Sequence, residues 1–440
     1  MYISKVYLKN IRCFDELTLN FNKKSKPILW TTLLGDNSTG KTTLLRSIAI
    51  GLCDESSAAG LLRESEEGYI RNGSKGDGVI EITLSDYQGK IKGTITTTII
   101  KVRKQRSNKF LFEKLTQELE PEDFNHWGDI FICAYGIGRG VSGAGDITSY
   151  TPISAVYNLF NYSEGLQNPE LVIRRIIEKK KNRKKYFEII RILRIVLNLP
   201  ESAKIEVEED GIKIEGGPWK KKMPLRDLAD GYKSMFQWVA DLVGWAISYS
   251  SQYYKSEVIQ GIVLVDAIEE HLHPRWQRTI VRTLHNELFK NIQFIVATHS
   301  PLVASSTVDF NDTSLIELEL NEKNEVTGNL IQQEELKGLR ADEVLRHHAF
   351  GLNTTASIGS LNDLERYAEL ASKKELSENE RNEKKQLSRS IPQANTFGDS
   401  DFEIEVEKAV LITLKKMVKE PSHLHISEIK KQLRVIFTKQ

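Results

Sequence analysis

Nine residues, GDNSTGKTT from Gly35 to Thr43, restrict this chain more than any other stretch. The apolar run Ile28 to Leu34 precedes them and reads as a buried strand. Leu44 to Ile50 follows and reads as a helix. Strand, glycine-rich turn and helix form the setting that a phosphate-binding loop requires. Gly35 and Gly40 let the backbone curl until successive N–H groups converge on one anion. The helix start adds free N–H groups and the positive end of its dipole. Asn37, Ser38 and Thr39 fill the variable positions, Lys41 can reach terminal phosphates, and the Thr42 hydroxyl can ligate Mg²⁺, with Thr43 behind it. Every fixed position of GxxxxGK[ST] is filled, which a plain glycine turn does not require.

Composition narrows the setting. With 440 residues, the chain has room for two or three domains, or one large domain with insertions. A formal net charge of +1 leaves nucleic-acid binding to local patches. Cys13, Cys53 and Cys133 stand far apart without metal spacing, which fits a reducing compartment and no disulfide framework. The first residues lack the apolar core of a signal peptide, and no run approaches the length of a membrane span. The expectation is a cytoplasmic protein without a membrane partner.

Strand patterns occur at 2–8, 17–21, 79–84, 91–102, 129–135, 204–208, 212–215, 259–265 and 292–297. Helical patterns occur at 169–199, from about 225 to 250, and at 274–289, where Pro274 suits a first turn. Residues 54–78 are polar and glycine-rich and read as a surface loop. Alternation of strands and helices predicts an α/β core with a mixed or parallel sheet. The tail changes character, with helix-prone stretches at 362–390 and 402–419 suited to a partner contact or to a cap on the core.

Two further strands end in chemistry. Ile262 to Val265 runs into Asp266, a carboxylate placed to hold Mg²⁺, and Ile295 to Ala297 leads through Thr298 to His299, which can bond a terminal phosphate or an attacking water. Between loop and carboxylate, Ala229-Asp230-Gly231 opens a helix, a setting suited to a second phosphate.

In this order the motifs resemble the ATP-binding-cassette ATPases of the RecF, SMC and OLD (overcoming lysogenization defect) type. The segments LADGY (Leu228 to Tyr232), HLHPRWQ (His271 to Gln277), ATHSPLV (Ala297 to Val303), YGIGRG (Tyr135 to Gly140) and LQNPE (Leu166 to Glu170) are similar to stand-alone bacterial ATPases found in phage-defence operons, including Septu-type and retron-associated systems. The resemblance spans about residues 1–350. It implies an ATPase head built from 1–105 and 200–335, a mainly helical insertion at 106–199, and a helical partner-binding region at 336–440. It also implies Arg12 near the nucleotide, ATP and Mg²⁺ as ligands, and a head-to-tail homodimer or higher even oligomer. In that assembly the Ala229–Gly231 signature of one copy would meet the ATP held by another.

The chain departs from the family pattern at Ala267. A glutamate there would orient the attacking water, and its loss costs about 10²–10⁴ in rate. Three readings remain open: a substitution that traps the ATP-bound dimer, a natural sensor that hydrolyses slowly or not at all, or replacement by Glu269 or Glu270. Asp399-Ser400-Asp401 has the letters of a Toprim metal motif without the strand before it, and His347-His348 has no ligand partner at sequence spacing, so a nuclease or toxin effector is expected on another chain. Three function classes follow: ATPase scaffold and sensor of a defence complex, RecF-like DNA-handling ATPase, or nucleotide module without nucleic acid. For the second, Arg174, Arg175, Lys180, Lys181 and Lys184 are the candidate DNA contacts, with the basic stretch at 101–109. Lys41→Ala is expected to abolish ATP binding. Titration with a fluorescent ATP analogue checks this, and unchanged affinity would remove the loop from the site.

Overall fold

The computed structural model describes residues 1–65, 68–103, 110–124, 129–140, 149–178, 183–208, 211–216, 219–228, 230–250, 253, 255–352, 362, 366, 369–370 and 377–390. The chain divides into two compact units, 1–355 and 356–440.

In the first unit, the two expected opening strands, β1 (Tyr2–Ile11) and β2 (Phe14–Asn20), pair antiparallel, and β3 (Asn22–Lys23) pairs with β4 (Lys26–Pro27). β5 (Trp30–Leu34) leads into the glycine loop and α1 (Lys41–Leu52). β6 (Gly78–Ser85), β7 (Ile91–Arg103) and β8 (Phe110–Glu120) extend the first hairpin into an antiparallel sheet of order β2-β1-β6-β7-β8.

The second sheet carries the loop. β9 (Ile132–Tyr135), β13 (Gly261–Val265), β14 (Ile292–Ala297), β5 and β15 (Thr313–Leu320) run parallel in the order β15-β5-β14-β13-β9, and β16 (Val326–Ile331) closes the edge antiparallel. β5, β9, β13 and β14 are buried at every residue, as parallel strands covered on both faces must be. One cover is α1. Its Leu44, Leu45 and Ile48 share a core with Ile80 and Ile82 of β6 and with Leu264 and Ile295 of the parallel sheet, so α1 lies between the two sheets. Gly51 permits this approach, since a Cβ there would stand 2.7 Å from Ile82 Cδ1.

On the opposite face, α3 (Pro152–Val156), α4 (Pro169–Glu178), α5 (Arg183–Val196) and α6 (Asp230–Tyr249) contribute to a second core around Trp238, Val239 and Leu242, together with β10 (Lys204–Glu208), β11 (Gly211–Gly216) and β12 (Trp219–Pro224). The α/β class and the mixed sheet agree with the sequence reading.

Several local expectations differ. The stretch 54–78 contains α2 (Glu55–Arg63), nucleated by Asp54, whose carboxylate accepts from Ser57 N at 3.0 Å and Ser57 Oγ at 2.6 Å. The helix expected over 274–289 is α7 (Pro274–Gln277) followed by a wide π turn, Arg282–Leu288, closed where Phe289 N donates to Leu284 O at 2.7 Å. β8, inside the stretch 106–199 read as a mainly helical insertion, had no counterpart in the sequence reading, whereas β9 falls on the strand pattern at 129–135. α8 (Pro301–Thr307), β12, β15 and β16 had no counterpart in the sequence reading. Beyond β16 come α9 (Gln333–Leu336) and α10 (Ala341–Leu345).

In the second unit, the helix Glu378–Ser390 is described, and Arg366 pairs with Glu383 at 2.8 Å and Glu369 at 2.8 Å. Asp399-Ser400-Asp401 and the helix expected at 402–419 lie outside the described residues. No helix among the described residues is long and apolar enough to cross a membrane. Asp54→Ala is expected to lower stability by about 1 kcal/mol through loss of the α2 cap, read as a shifted urea midpoint with unchanged nucleotide affinity.

Candidate nucleotide site

The glycine loop leaves β5 with Gly35 at φ 136° and enters α1 through Gly40 at φ 94°, both in the region that favours glycine. Side chains are also excluded by space. A Cβ on Gly35 would run into the Leu318 carbonyl, and one on Gly40 would stand 2.6 Å from Phe14 Cζ. Thr39 Oγ1 donates to Asp36 O at 2.9 Å and tightens the turn. Lys41 is buried, and its ammonium donates to Gly35 O at 2.8 Å and Asp36 O at 2.9 Å, so it lies folded along the loop. Burial lowers its pKa, while Asp266, Asp36 and Glu269 oppose that shift. Thr42 Oγ1 donates to Asp266 Oδ2 at 2.6 Å, which joins α1 to the end of β13. A hydroxyl and a carboxylate are hard oxygen donors and fit Mg²⁺.

Asp266, His299 and the loop meet because β13, β14 and β5 are parallel neighbours whose carboxyl ends lie side by side. A cleft of about 340 Å³ is lined by Arg12, Asn37, Ser38, Gly40, Lys41, Thr42, Thr43, Asp266, Ala267 and His299. Arg12 is held there with its guanidinium 4.6 Å from the Tyr69 ring centre, Nε donating to Gly68 O at 3.0 Å, and Nη2 against Ser65 Oγ. His299 is exposed. Burial of its ring and then the charge of Lys41 lower its pKa, which favours a neutral imidazole. Ala267 lines the cleft with a methyl group at φ 46°.

Two residues complete the frame: Arg139, to which the sequence reading gave no role, and Glu269, which it offered only as a replacement for the missing glutamate. Arg139 is buried, and its Nη2 donates to the carbonyls of Asp266 and, at 2.8 Å, of Ala267, while Nε donates to Gly136 O at 2.9 Å. Burial pushes its pKa down to about 10, leaving it charged near neutral pH. The signal was present in YGIGRG, an arginine among glycines directly after a buried strand. Glu269 uses both carboxylate oxygens on the histidine loop, accepting from Thr298 Oγ1 at 2.6 Å and His299 N at 2.7 Å.

Other candidate residues lie elsewhere. Gly231 sits at the start of α6, where a Cβ would meet His271 O at 3.1 Å and Trp276 Cζ3 at 3.3 Å. Ala229 and the Asp230 side chain lie outside the described residues, as do the side chains of Arg175, Lys180 and Lys181. Arg174 is half-buried and donates to Glu208 O at 3.5 Å, and Lys184 is exposed. Arg139→Lys loses the guanidinium that holds Gly136 O through Nε while Nη2 holds the carbonyls of Asp266 and Ala267. Its affinity for Mg·ATP is expected to fall about tenfold, measured by calorimetry, with the circular dichroism spectrum retained.

Sequence comparison adds relatives to this geometry. Residues 5–216 match a family model described as "AAA domain", and residues 149–305 match one described as "AAA domain, putative AbiEii toxin, Type IV TA system". The chain is 28% identical over 416 residues to "Septu protein PtuA" of Bacillus mycoides (strain KBAB4), covering 93% of this chain and 53% of that protein. It is 30% identical over 192 residues to "Retron Vc95 probable ATPase" of Vibrio cholerae serotype O1 biovar El Tor, covering 38% of this chain and 37% of that protein. The chain thus spans about half the length of the first relative and less of the second. Among solved structures, the "SMC head domain from Thermotoga maritima" is 16% identical, covers 76% of this chain and all of that one, and superposes with a TM-score of 0.43. The chain thus matches AAA domain models over parts of its length and is similar in sequence to Septu PtuA and to the retron ATPases.

Proposed function

We propose that this chain binds ATP with Mg²⁺ and serves as the nucleotide-dependent scaffold and sensor of an anti-phage defence complex, pairing head to tail around ATP and controlling a separate nuclease. The observation that carries the reading is the 2.6 Å contact between Thr42 and Asp266, from elements far apart in the chain. In this reading both Mg²⁺ donors stand beside the loop that would hold the phosphates. The loop N–H groups and Lys41 bind and orient the triphosphate, and a bound Mg²⁺ would neutralise charge on its terminal oxygens. His299, biased towards the neutral form, can bond a terminal phosphate.

Hydrolysis needs a group to orient water, and the chain offers a methyl at Ala267. Glu269 is turned to the histidine loop, where each of its oxygens accepts a hydrogen bond, from Thr298 and from His299 N. ATP therefore acts chiefly as a ligand. Contacting the loop of one copy and Gly231 of another, it favours the closed dimer by its differential affinity for that state. A separate chain carries the effector chemistry in this reading, whose support is the likeness to Septu PtuA and the retron ATPases. The RecF-like alternative draws on the basic helices, where Arg174 is engaged with the β10 backbone.

The test is ATP turnover of this chain beside Ala267→Glu, with dimer fraction read in the same samples by light scattering. The expected result is turnover higher by about 10²–10⁴ in the glutamate variant, with the ATP-dependent dimer less persistent. An ATP-independent monomer in both proteins would overturn the head-to-tail reading.

A further inference from the structure

The second cluster of chemistry-bearing side chains lies on the far side of β15. His347 and His348 end the segment that follows β16, and their rings lie 4.0 Å apart, centre to centre. Their sequence neighbourhood offers no ligand partner, but the fold brings in two carboxylates. Glu335 of α9 places Oε2 3.4 Å from His347 Nε2 and 3.8 Å from His348 Nε2. Glu317 of β15 places Oε2 2.7 Å from His348 Nδ1. Glu317 is only 4% exposed, and its Oε2 takes no well-formed hydrogen bond.

We propose that His347 Nε2, His348 Nε2 and Glu335 Oε2 form a binding site for a divalent transition metal such as Zn²⁺, with Glu317 orienting His348 from behind. Three donors at 2.0–2.2 Å from a tetrahedral Zn²⁺ stand about 3.3–3.5 Å from one another; Glu335 Oε2 is already 3.4 and 3.8 Å from the two ring nitrogens, and all three ligand atoms lie within 4.8 Å of one another. Such a site keeps a fourth position for water. The carboxylate–imidazole–metal arrangement is completed by Glu317: a proton on His348 Nδ1 facing that buried carboxylate leaves the Nε2 lone pair for the ion. Glu335 is preset by its other oxygen, Oε1, which accepts from Gln332 N at 2.8 Å and leaves Oε2 free to ligate. Ligation through Nε2 moves the His347 proton to Nδ1 and gives up the contact from Ala349 N, already long at 3.4 Å. The side chains of His348 and Glu335 are 61% and 42% exposed, which leaves a path for the ion.

The position gives the site a consequence. Glu317 pairs in register with Leu34, the last residue of β5 before Gly35, and Leu34 shares a small core with Leu336, Val344 and Ala349. A metal here would clip α9 to the histidine turn, and Glu317 would tie that clip to β15, the neighbour of the strand that feeds the phosphate loop. The inference is independent of the nucleotide reading.

The experiment titrates the chelator-stripped full chain with Co²⁺ in the absence of nucleotide, followed by visible absorption, then displaces it with Zn²⁺. The expected result is one Co²⁺ per chain with the intense bands of a four-coordinate ion, retained in Asp266→Asn. Affinity should fall at least tenfold in His347→Ala and His348→Ala, and about 10–100-fold in Glu317→Gln. Should a histidine variant fail to fold by circular dichroism, Glu335→Gln, at an exposed position, provides the same test. Absence of those bands in the unsubstituted chain, or their survival when a folded ligand variant is titrated, would overturn the site.

Discussion

The parallel register of β5, β14 and β13 is the constraint on which the candidate site depends. Thr32 faces Val296, and Val296 faces Val265, so three strands drawn from distant parts of the chain end at one level. Neighbouring strands lie about 4.8 Å apart. The residues just beyond those ends, Gly35, His299 and Asp266, are therefore brought to one crevice by backbone pairing before any side chain acts. Complete burial of the three strands makes a one-residue slip costly, because the sheet is covered on both faces.

Arg139 shows how the site is held once the strands have placed it. Ala267 sits at φ 46°, a left-handed backbone that costs a non-glycine residue roughly 1–2 kcal/mol. The guanidinium bonds both carbonyls on either side of that turn, and hydrogen bonds to a charged donor are each worth about 1.5–3 kcal/mol. The grip is sufficient to offset the strain. It also fixes the direction of the residue 267 side chain, which lines the cleft whether it is a methyl or something longer. The frame of the site is thus separable from the identity of the group presented to water.

Legibility followed the range of the interactions involved. The loop, Asp266 and His299 could be read because each sits at the junction of an apolar run and a polar residue, a pattern written within about ten positions. The α2 cap was written as locally, in Asp54 and Ser57, but the surrounding serines and glycines masked it. Arg139 was hidden for another reason. Its partners are backbone carbonyls more than a hundred residues away, and carbonyls leave no mark in a sequence. The break between α7 and the π turn at Arg282–Leu288 was equally silent, since the apolar spacing of 274–289 suits an unbroken helix.

His347 and His348 illustrate the limit most clearly. Judged by spacing they lack partners, because Glu317 lies thirty or so positions earlier. The β15–β16 hairpin reverses the chain, and α9 turns it again, so that Glu317 and Glu335 arrive beside the two rings from different elements. The cluster and the phosphate loop then occupy neighbouring strands of the same sheet, β15 and β5, joined at Glu317 and Leu34. Gly35 has no room for a side chain because the Leu318 carbonyl presses on it. The strand that carries Glu317 thus runs directly against the first glycine of the loop, and a side chain at position 35 is excluded by that close approach.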